Sequence, residues 1–140
     1  MTPNKQPIEK TVVDPNNLDV VRIWETIQGE GPFVGRPATF VRMAGCNLQC
    51  PACDTDYTTH RGKRSVHSLI EQIGYTSKSK LVVLTGGEPF RQSLGSLVTS
   101  LLAADYEVQI ETNGTLHQTL PYSNPGLTIV CSPKSYMINR

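Results

Sequence analysis

Three cysteines, Cys46, Cys50 and Cys53, share the stretch "GCNLQCPACDTDY" with C-x3-C-x2-C spacing. Thiolates are soft donors that suit zinc or an iron–sulfur cluster. A closed zinc site needs a fourth ligand. Cys131, His60, His67 and Asp54 are candidates, but the second CxxC pair of the usual finger layout is missing. Three thiolates on a four-iron cluster would instead leave one iron open to a small-molecule ligand. On the cysteines alone both readings stand. Cys131, inside the apolar run "LTIVCSPK", otherwise reads as a buried small side chain.

A second chemical signal is "TGGEP" at residues 85–89. Glycine lets a backbone come close to a ligand and present its N–H and C=O groups. The elements around these stretches must bring them together. "ATFVRMAG" reads as a buried strand running into the cysteine loop, and "KLVVLTGGEP" as an apolar strand broken by two glycines. Between them, "SVHSLIEQIG" predicts a helix with Ser65 as N-cap, an apolar stripe at Val66, Leu69, Ile70 and Ile73, and Gly74 closing the end. Ser93 is expected to cap a second helix whose stripe is Leu94, Leu97, Val98, Leu101 and Leu102. "EVQIETNG" and "LTIVCSPK" complete the strands, and the link between them, with Pro121 and "NPG", admits only a short or irregular crossover.

Strand, helix, strand, helix, strand is the order of parallel βαβ units, an α/β class. The chemically unusual stretches "AGCNLQC", "TGGEP", "ETNGT" and "SPK" then all fall at carboxyl ends of strands. That is the edge where such folds bind ligands.

The 140 residues fit one domain, expected at residues 20–140 behind a flexible N-terminal arm at 1–19. Thirteen basic and twelve acidic residues give a net charge of +1, too balanced for a broad nucleic-acid or anionic-membrane footprint. Apolar runs such as "LVVL" are too short to span a bilayer, and the N-terminus lacks a secretory apolar stretch. A cytoplasmic location is the default expectation. In that compartment four cysteines are ligands or thiols before they are disulfides.

The cysteine loop resembles that of radical S-adenosylmethionine (SAM) enzymes, in which SAM chelates the open iron of a 4Fe-4S cluster. The wording of "ETIQGEGPFVGRPATFVRMAGCNLQCPACDT", "LTGGEP", "IETNGT" and "CSPK" is similar to the 7-carboxy-7-deazaguanine synthase family over residues 24–134. This resemblance implies a partial (βα) barrel of the radical SAM type, mostly parallel and shortened at the C-terminus. It implies that Cys46, Cys50 and Cys53 hold the cluster, and that Ala52, Cys53, Asp54, Gly87, Glu88, Ser132, Pro133 and Lys134 line SAM. Ile27, Gln28, Gly29, Glu30, Arg42 and Thr85 would contact the pterin substrate, with Arg42 and Glu111 as catalytic residues. Thr55, directly after the "CD" pair, would ligate Mg²⁺. Ala52 departs from the family pattern, which usually has a bulky residue before the third cysteine.

The implied reaction converts 6-carboxy-5,6,7,8-tetrahydropterin to 7-carboxy-7-deazaguanine by a radical ring contraction with loss of ammonia. A flavodoxin-like or ferredoxin-like protein would donate the electron, and a homodimer is compatible. Two alternatives account for part of the pattern: an activase that installs a glycyl radical on a protein, and a zinc-stabilised interaction domain. "IQGEG", Arg42 and Thr55 speak for the pterin enzyme, because a protein substrate gives them no evident use.

Overall fold

In "LVVLT" the aliphatic residues do not alternate with polar ones, the pattern of a strand covered on both faces. Leu81, Val82, Val83 and Leu84 are all fully buried. The structure, a computed structural model, describes residues 3–135; the outer ends of both anticipated segments, residues 1–2 and 136–140, lie outside that range. Six strands are present: β1 (Asn17–Ile27), β2 (Pro37–Met43), β3 (Gly62–Ser65), β4 (Leu81–Gly86), β5 (Glu107–Thr112) and β6 (Leu127–Cys131). They form one sheet in the order β3-β1-β2-β4-β5-β6. β2, β4, β5 and β6 run parallel, while β1 pairs antiparallel with β2 and β3.

Helices α1 (Val66–Thr76) and α2 (Gly95–Ala103) cover one face of the sheet. Their Leu69, Ile73, Leu97, Val98 and Leu101 pack with Val41, Met43, Val82, Leu84, Val108 and Ile110. Each such fully buried aliphatic side chain contributes about 1.5–3 kcal/mol. Because side chains alternate across a strand, Phe40, Arg42, Val83, Thr85, Gln109 and Glu111 point to the opposite face. There the apolar packing is small, Ala38, Leu81 and Val83 with Phe33 and Phe40, and the polar residues concentrate.

Ser65 caps α1 as expected, its side chain accepting from the Ser68 N–H. Two other capping expectations fail. Gly74 does not end α1, which runs on to Thr76, where the Ser77 N–H reaches the Ile73 carbonyl at 2.7 Å. Mid-helix glycine costs only about 1 kcal/mol, and the buried stripe outweighs it. Ser93 does not cap α2: Gln118 Oε1 accepts from the Leu94 N–H at 2.9 Å, and the Ser93 hydroxyl receives the Asp14 N–H instead. The β5–β6 link, residues 113–126, contains neither helix nor strand. Cys131 is exposed at the end of the edge strand β6, not buried as its apolar context suggested.

The largest departure is the N-terminal segment. Rather than a free arm, residues 4–14 form a strap across the cysteine loop and the β4–α2 connection. Ile8 and Val12 make isolated parallel bridges to Cys46 and Gln92. The Glu9 N–H bonds the Cys46 carbonyl, and the Val12 N–H the Arg91 carbonyl, both at 2.8 Å. Arg61 grips Glu9 with both terminal nitrogens, at 2.5 and 3.1 Å, and donates through Nε to Asp19 at 2.7 Å.

These Arg61 bonds hold the Glu9 carboxyl below its ordinary value of 4.5. A depressed carboxyl stabilises the fold above its unfolded pKa and loses that contribution as pH falls through the folded value. Stability measured by thermal unfolding is therefore expected to drop below about pH 4.5 in part through release of the strap. Glu9→Gln should flatten that acid limb and cost at most about 1 kcal/mol at neutral pH. An acid limb identical in the variant would rule the assignment out.

Candidate active site

The carboxyl ends of β2, β4, β5 and β6 meet on one edge of the sheet and enclose a cavity of about 250 Å³. The loop after β2 contributes Cys46, Cys50, Ala52, Cys53, Asp54 and Thr55; β4 contributes Thr85 and the turn after it Gly87; β5 contributes Glu111; Ser132 and Lys134 follow β6; and Glu30 comes from the β1–β2 connection. The sequence had nominated all twelve. Gly86, Thr112, Asn113 and Tyr57 also border the cavity and had not been nominated. The "ETNG" wording was the available signal for Thr112 and Asn113. Tyr57 had none beyond its closeness to the third cysteine.

Six nominated residues do not border the cavity. Ile27 is exposed, Gly29 and Pro133 lie on the surface nearby, and Gln28 sits behind the wall. Arg42 stacks on the indole of Trp24, 5.0 Å from the ring centroid, with its Nε buried and unpartnered. Its register partner is Thr85, which does face the cavity. Glu88 is fully buried, and its carboxylate is taken up inside the protein. Oε1 accepts from the Phe90 N–H and the Thr112 hydroxyl at 2.9 and 2.7 Å, and Oε2 from the Asn113 N–H at 2.7 Å. It ties the β4 turn to the β5 turn and leaves the cavity to its neighbours.

The two loops nearest the cysteines are fused by backbone. The Glu88 N–H donates to the Gly45 carbonyl at 3.0 Å. A Cβ on Gly87 would overlap that same carbonyl oxygen and come 3.0 Å from the Cys46 Cβ. The glycine pair was expected to serve close approach to a ligand; its first use is close approach to the cysteine loop. Gly45 has φ +76°, and a Cβ there would lie 2.5 Å from the guanidinium of buried Arg91. Arg91 donates to the Ala44 and Lys10 carbonyls, at 3.1 and 2.8 Å. Gln92 binds the Ala44 carbonyl and both peptide groups of Asp19. Nothing in the sequence marked this Arg–Gln pair.

On the far wall, Glu111 is the hub of a polar network. It accepts from Gln28 Nε2 at 3.0 Å, Gln109 Nε2 at 3.2 Å and the Thr85 hydroxyl at 2.8 Å. An ionised carboxylate has about four acceptor directions, so roughly one stays available toward the cavity.

A match to the Radical SAM superfamily model spans residues 40–122, more than half of the chain. The chain belongs to the radical SAM superfamily. Beyond that, a 7-carboxy-7-deazaguanine synthase of Rhodospirillum rubrum is 52% identical over 124 residues, 87% of this chain and 52% of that protein. One from Aquifex aeolicus is 45% identical over 117 residues, 80% of this chain and 52% of that protein. Among solved structures, the crystal structure of QueE from Escherichia coli superimposes with a TM-score of 0.78 at 30% identity, covering 87% of this chain and 62% of that one. The chain thus spans about half the length of the curated relatives it matches.

Radical SAM proteins use a 4Fe-4S cluster with SAM, and the donor set here fits that pair. Three thiols border one cavity with no fourth cysteine beside them. The zinc candidates are scattered: His60 and His67 are exposed, Cys131 ends β6, and only Asp54 borders the cavity. Among the described residues no three His, Cys, Asp or Glu side chains converge tightly enough for a single ion. The Leu48 N–H already points at Cys46 Sγ, 3.4 Å away, as bonds that tune cluster sulfurs do. Burial pushes the Cys46 thiol up to about 11 in the cluster-free chain, so loading must displace a proton.

Proposed function

We propose that this radical SAM chain acts as a 7-carboxy-7-deazaguanine synthase, converting 6-carboxy-5,6,7,8-tetrahydropterin to 7-carboxy-7-deazaguanine with loss of ammonia. The observation that carries the reading is one cavity bordered on one side by three thiols and on the other by the Glu111 network. Identity of 52% to an enzyme of that name supports it. When bound, the cluster and SAM supply a carbon radical able to abstract hydrogen from the pterin.

The chain's own residues position and shield. Cys46, Cys50 and Cys53 hold the cluster. Gly87, Ala52, Asp54, Ser132 and Lys134 face SAM, whose amino and carboxylate ends suit backbone donors and a lysine. Glu111 offers its remaining lone pair to an N–H of the pterin ring, with its orientation fixed by Gln28, Gln109 and Thr85. Arg42, its guanidinium 5.0 Å from the Trp24 ring centroid and outside the cavity lining, would have to swing off that ring to offer its planar fork to the substrate carboxylate. Thr55 places a hydroxyl beside Asp54, 3.2 Å from its carboxylate, where Mg²⁺ with its preference for oxygen would sit. A flavodoxin-like or ferredoxin-like electron donor, assembly as a homodimer and a cytoplasmic location complete the proposal. Among the described residues no helix is long and apolar enough to cross a membrane.

The test is anaerobic incubation of the reconstituted chain with the carboxytetrahydropterin, SAM, Mg²⁺ and reductant, with mass detection of the product. SAM cleavage without ring-contracted product overturns the reading. Glu111→Gln in the same assay should lower kcat/KM by about 10²-fold or more while costing about 1–2 kcal/mol of folding stability. Its carbonyl would keep the Gln28 and Gln109 donors, both on Oε1, while the new NH2 would face the Thr85 hydroxyl, which can no longer donate there.

A further inference from the structure

Gln6, in the strap, is bonded to the cysteine loop at both ends of its amide. Nε2 donates to the Thr55 carbonyl at 2.9 Å. Oε1 accepts from the Tyr57 N–H at 2.9 Å and from the Thr58 hydroxyl at 3.1 Å. Its own backbone carbonyl accepts from Gln49 Nε2 at 2.6 Å. Thr55 offers only a carbonyl here and Tyr57 only an N–H, so the amide can face just one way. The side chain thus behaves as a borrowed peptide unit, pairing with the backbone on either side of Asp56 as a neighbouring strand would. The strap adds two more points: the Asn4 N–H donates to the Pro51 carbonyl at 3.2 Å, and Asn4 Nδ2 to the Tyr57 hydroxyl at 3.3 Å.

We propose that Gln6 is a positioning residue for the site: it fixes the path of the loop from Cys50 to Tyr57, and so the placement of Cys53, Asp54 and Thr55 against SAM. No regular secondary structure holds this segment, since residues 44–61 contain neither helix nor paired strand. Backbone groups without ladder partners need bonds from elsewhere. Gln6 and Asn4 supply them from a part of the chain that contributes nothing to the cavity itself. The inference rests on the reading of Cys46, Cys50 and Cys53 as cluster ligands.

The experiment has two arms. In the cluster-free chain, amide hydrogen exchange at Tyr57 should accelerate about tenfold in Gln6→Ala, with α2 unchanged, because the bond lost is local. In the anaerobically reconstituted chain, titration of SAM into the reduced cluster, followed by electron paramagnetic resonance, should give a dissociation constant raised about tenfold at unchanged iron content. Gln6→Glu keeps the acceptor for Tyr57 and Thr58 but sets a carboxylate against the Thr55 carbonyl. It should leave Tyr57 exchange near wild type and still weaken SAM binding. If Gln6→Ala does not fold, Gln6→Glu carries the SAM readout. Unchanged SAM affinity in every folded variant overturns the proposal, even where the unfolding midpoint falls, since that is a merely structural role. A wild-type chain that takes up no cluster refutes the cluster reading instead; the exchange arm then still decides whether Gln6 orders the loop.

Discussion

Cys50→Ala yields a folded chain that takes up no stable four-iron cluster and loses turnover by at least about 10³-fold. The fold survives because Cys50 is only half-buried and no hydrogen bond involves its thiol among the described residues. Truncating such a side chain costs about 0.5–1 kcal/mol, well inside the stability of a domain. The cluster does not survive, because with three protein thiols every one is needed to offset the charge and keep the iron from solvent. Iron and acid-labile sulfide per chain, with the visible absorption of the anaerobically rebuilt protein, measure the loss directly. Cys131→Ala is the matched control: that thiol is exposed at the end of β6 and away from the cavity lining. It should leave cluster content and turnover unchanged. Equal cluster content in Cys50→Ala and wild type would refute the ligand assignment.

Gly87→Ala is the second large effect, and it acts through packing. The added methyl has nowhere to go, because its nearest neighbours are the carbonyl carbon and oxygen of Gly45 and the Cys46 Cβ. Backbone atoms cannot swing aside as the end of a long side chain can. The two loops must part, breaking the bond from the Glu88 N–H to the Gly45 carbonyl and moving Cys46. Overpacking of this kind costs about 3 kcal/mol. Urea unfolding should report that loss, and iron content after reconstitution should fall with it. Gly74→Ala provides the opposite sign from the same chemical change. Nothing lies within 4 Å of its Cβ position in α1, so helix propensity alone should raise stability by about 0.5–1 kcal/mol. Should the two variants unfold at the same urea concentration, the packing argument for Gly87 is wrong.

Much of the site could be read in the sequence because its chemistry is local. The three cysteines, the glycine turn and "SPK" each announce themselves within a few residues. Continuous apolar runs and period-3.6 stripes then place them on one edge of a parallel sheet. Ser65 could be identified as a cap for the same reason, since its partner lies three residues on. What escaped notice depends on contacts distant in sequence. The strap has no apolar periodicity, and its bonds join residues such as Gln6 and Thr55, or Lys10 and Arg91, that no pattern relates. β3, "GKRS", is a half-exposed edge strand with nothing apolar to reveal it. The inward turn of the Glu88 side chain could not be read, because a motif shows that a carboxylate is present but not which way it points. Ser93 has a good capping residue's chemistry, yet the strap engaged its hydroxyl first.

That the strap precedes its docking partners in the chain has a consequence for how the protein is made. Its docking partners Arg91 and Ser93 leave the ribosome about eighty residues after it does. Through most of synthesis the leading segment has no place to bind, and the cysteine loop it clamps is equally unsupported. Iron delivered to the nascent polypeptide would meet loose thiols, whereas iron delivered after release meets an ordered cradle. Maturation of the metal centre therefore belongs after Arg91 and Ser93 have been made, with the strap among the last segments to settle.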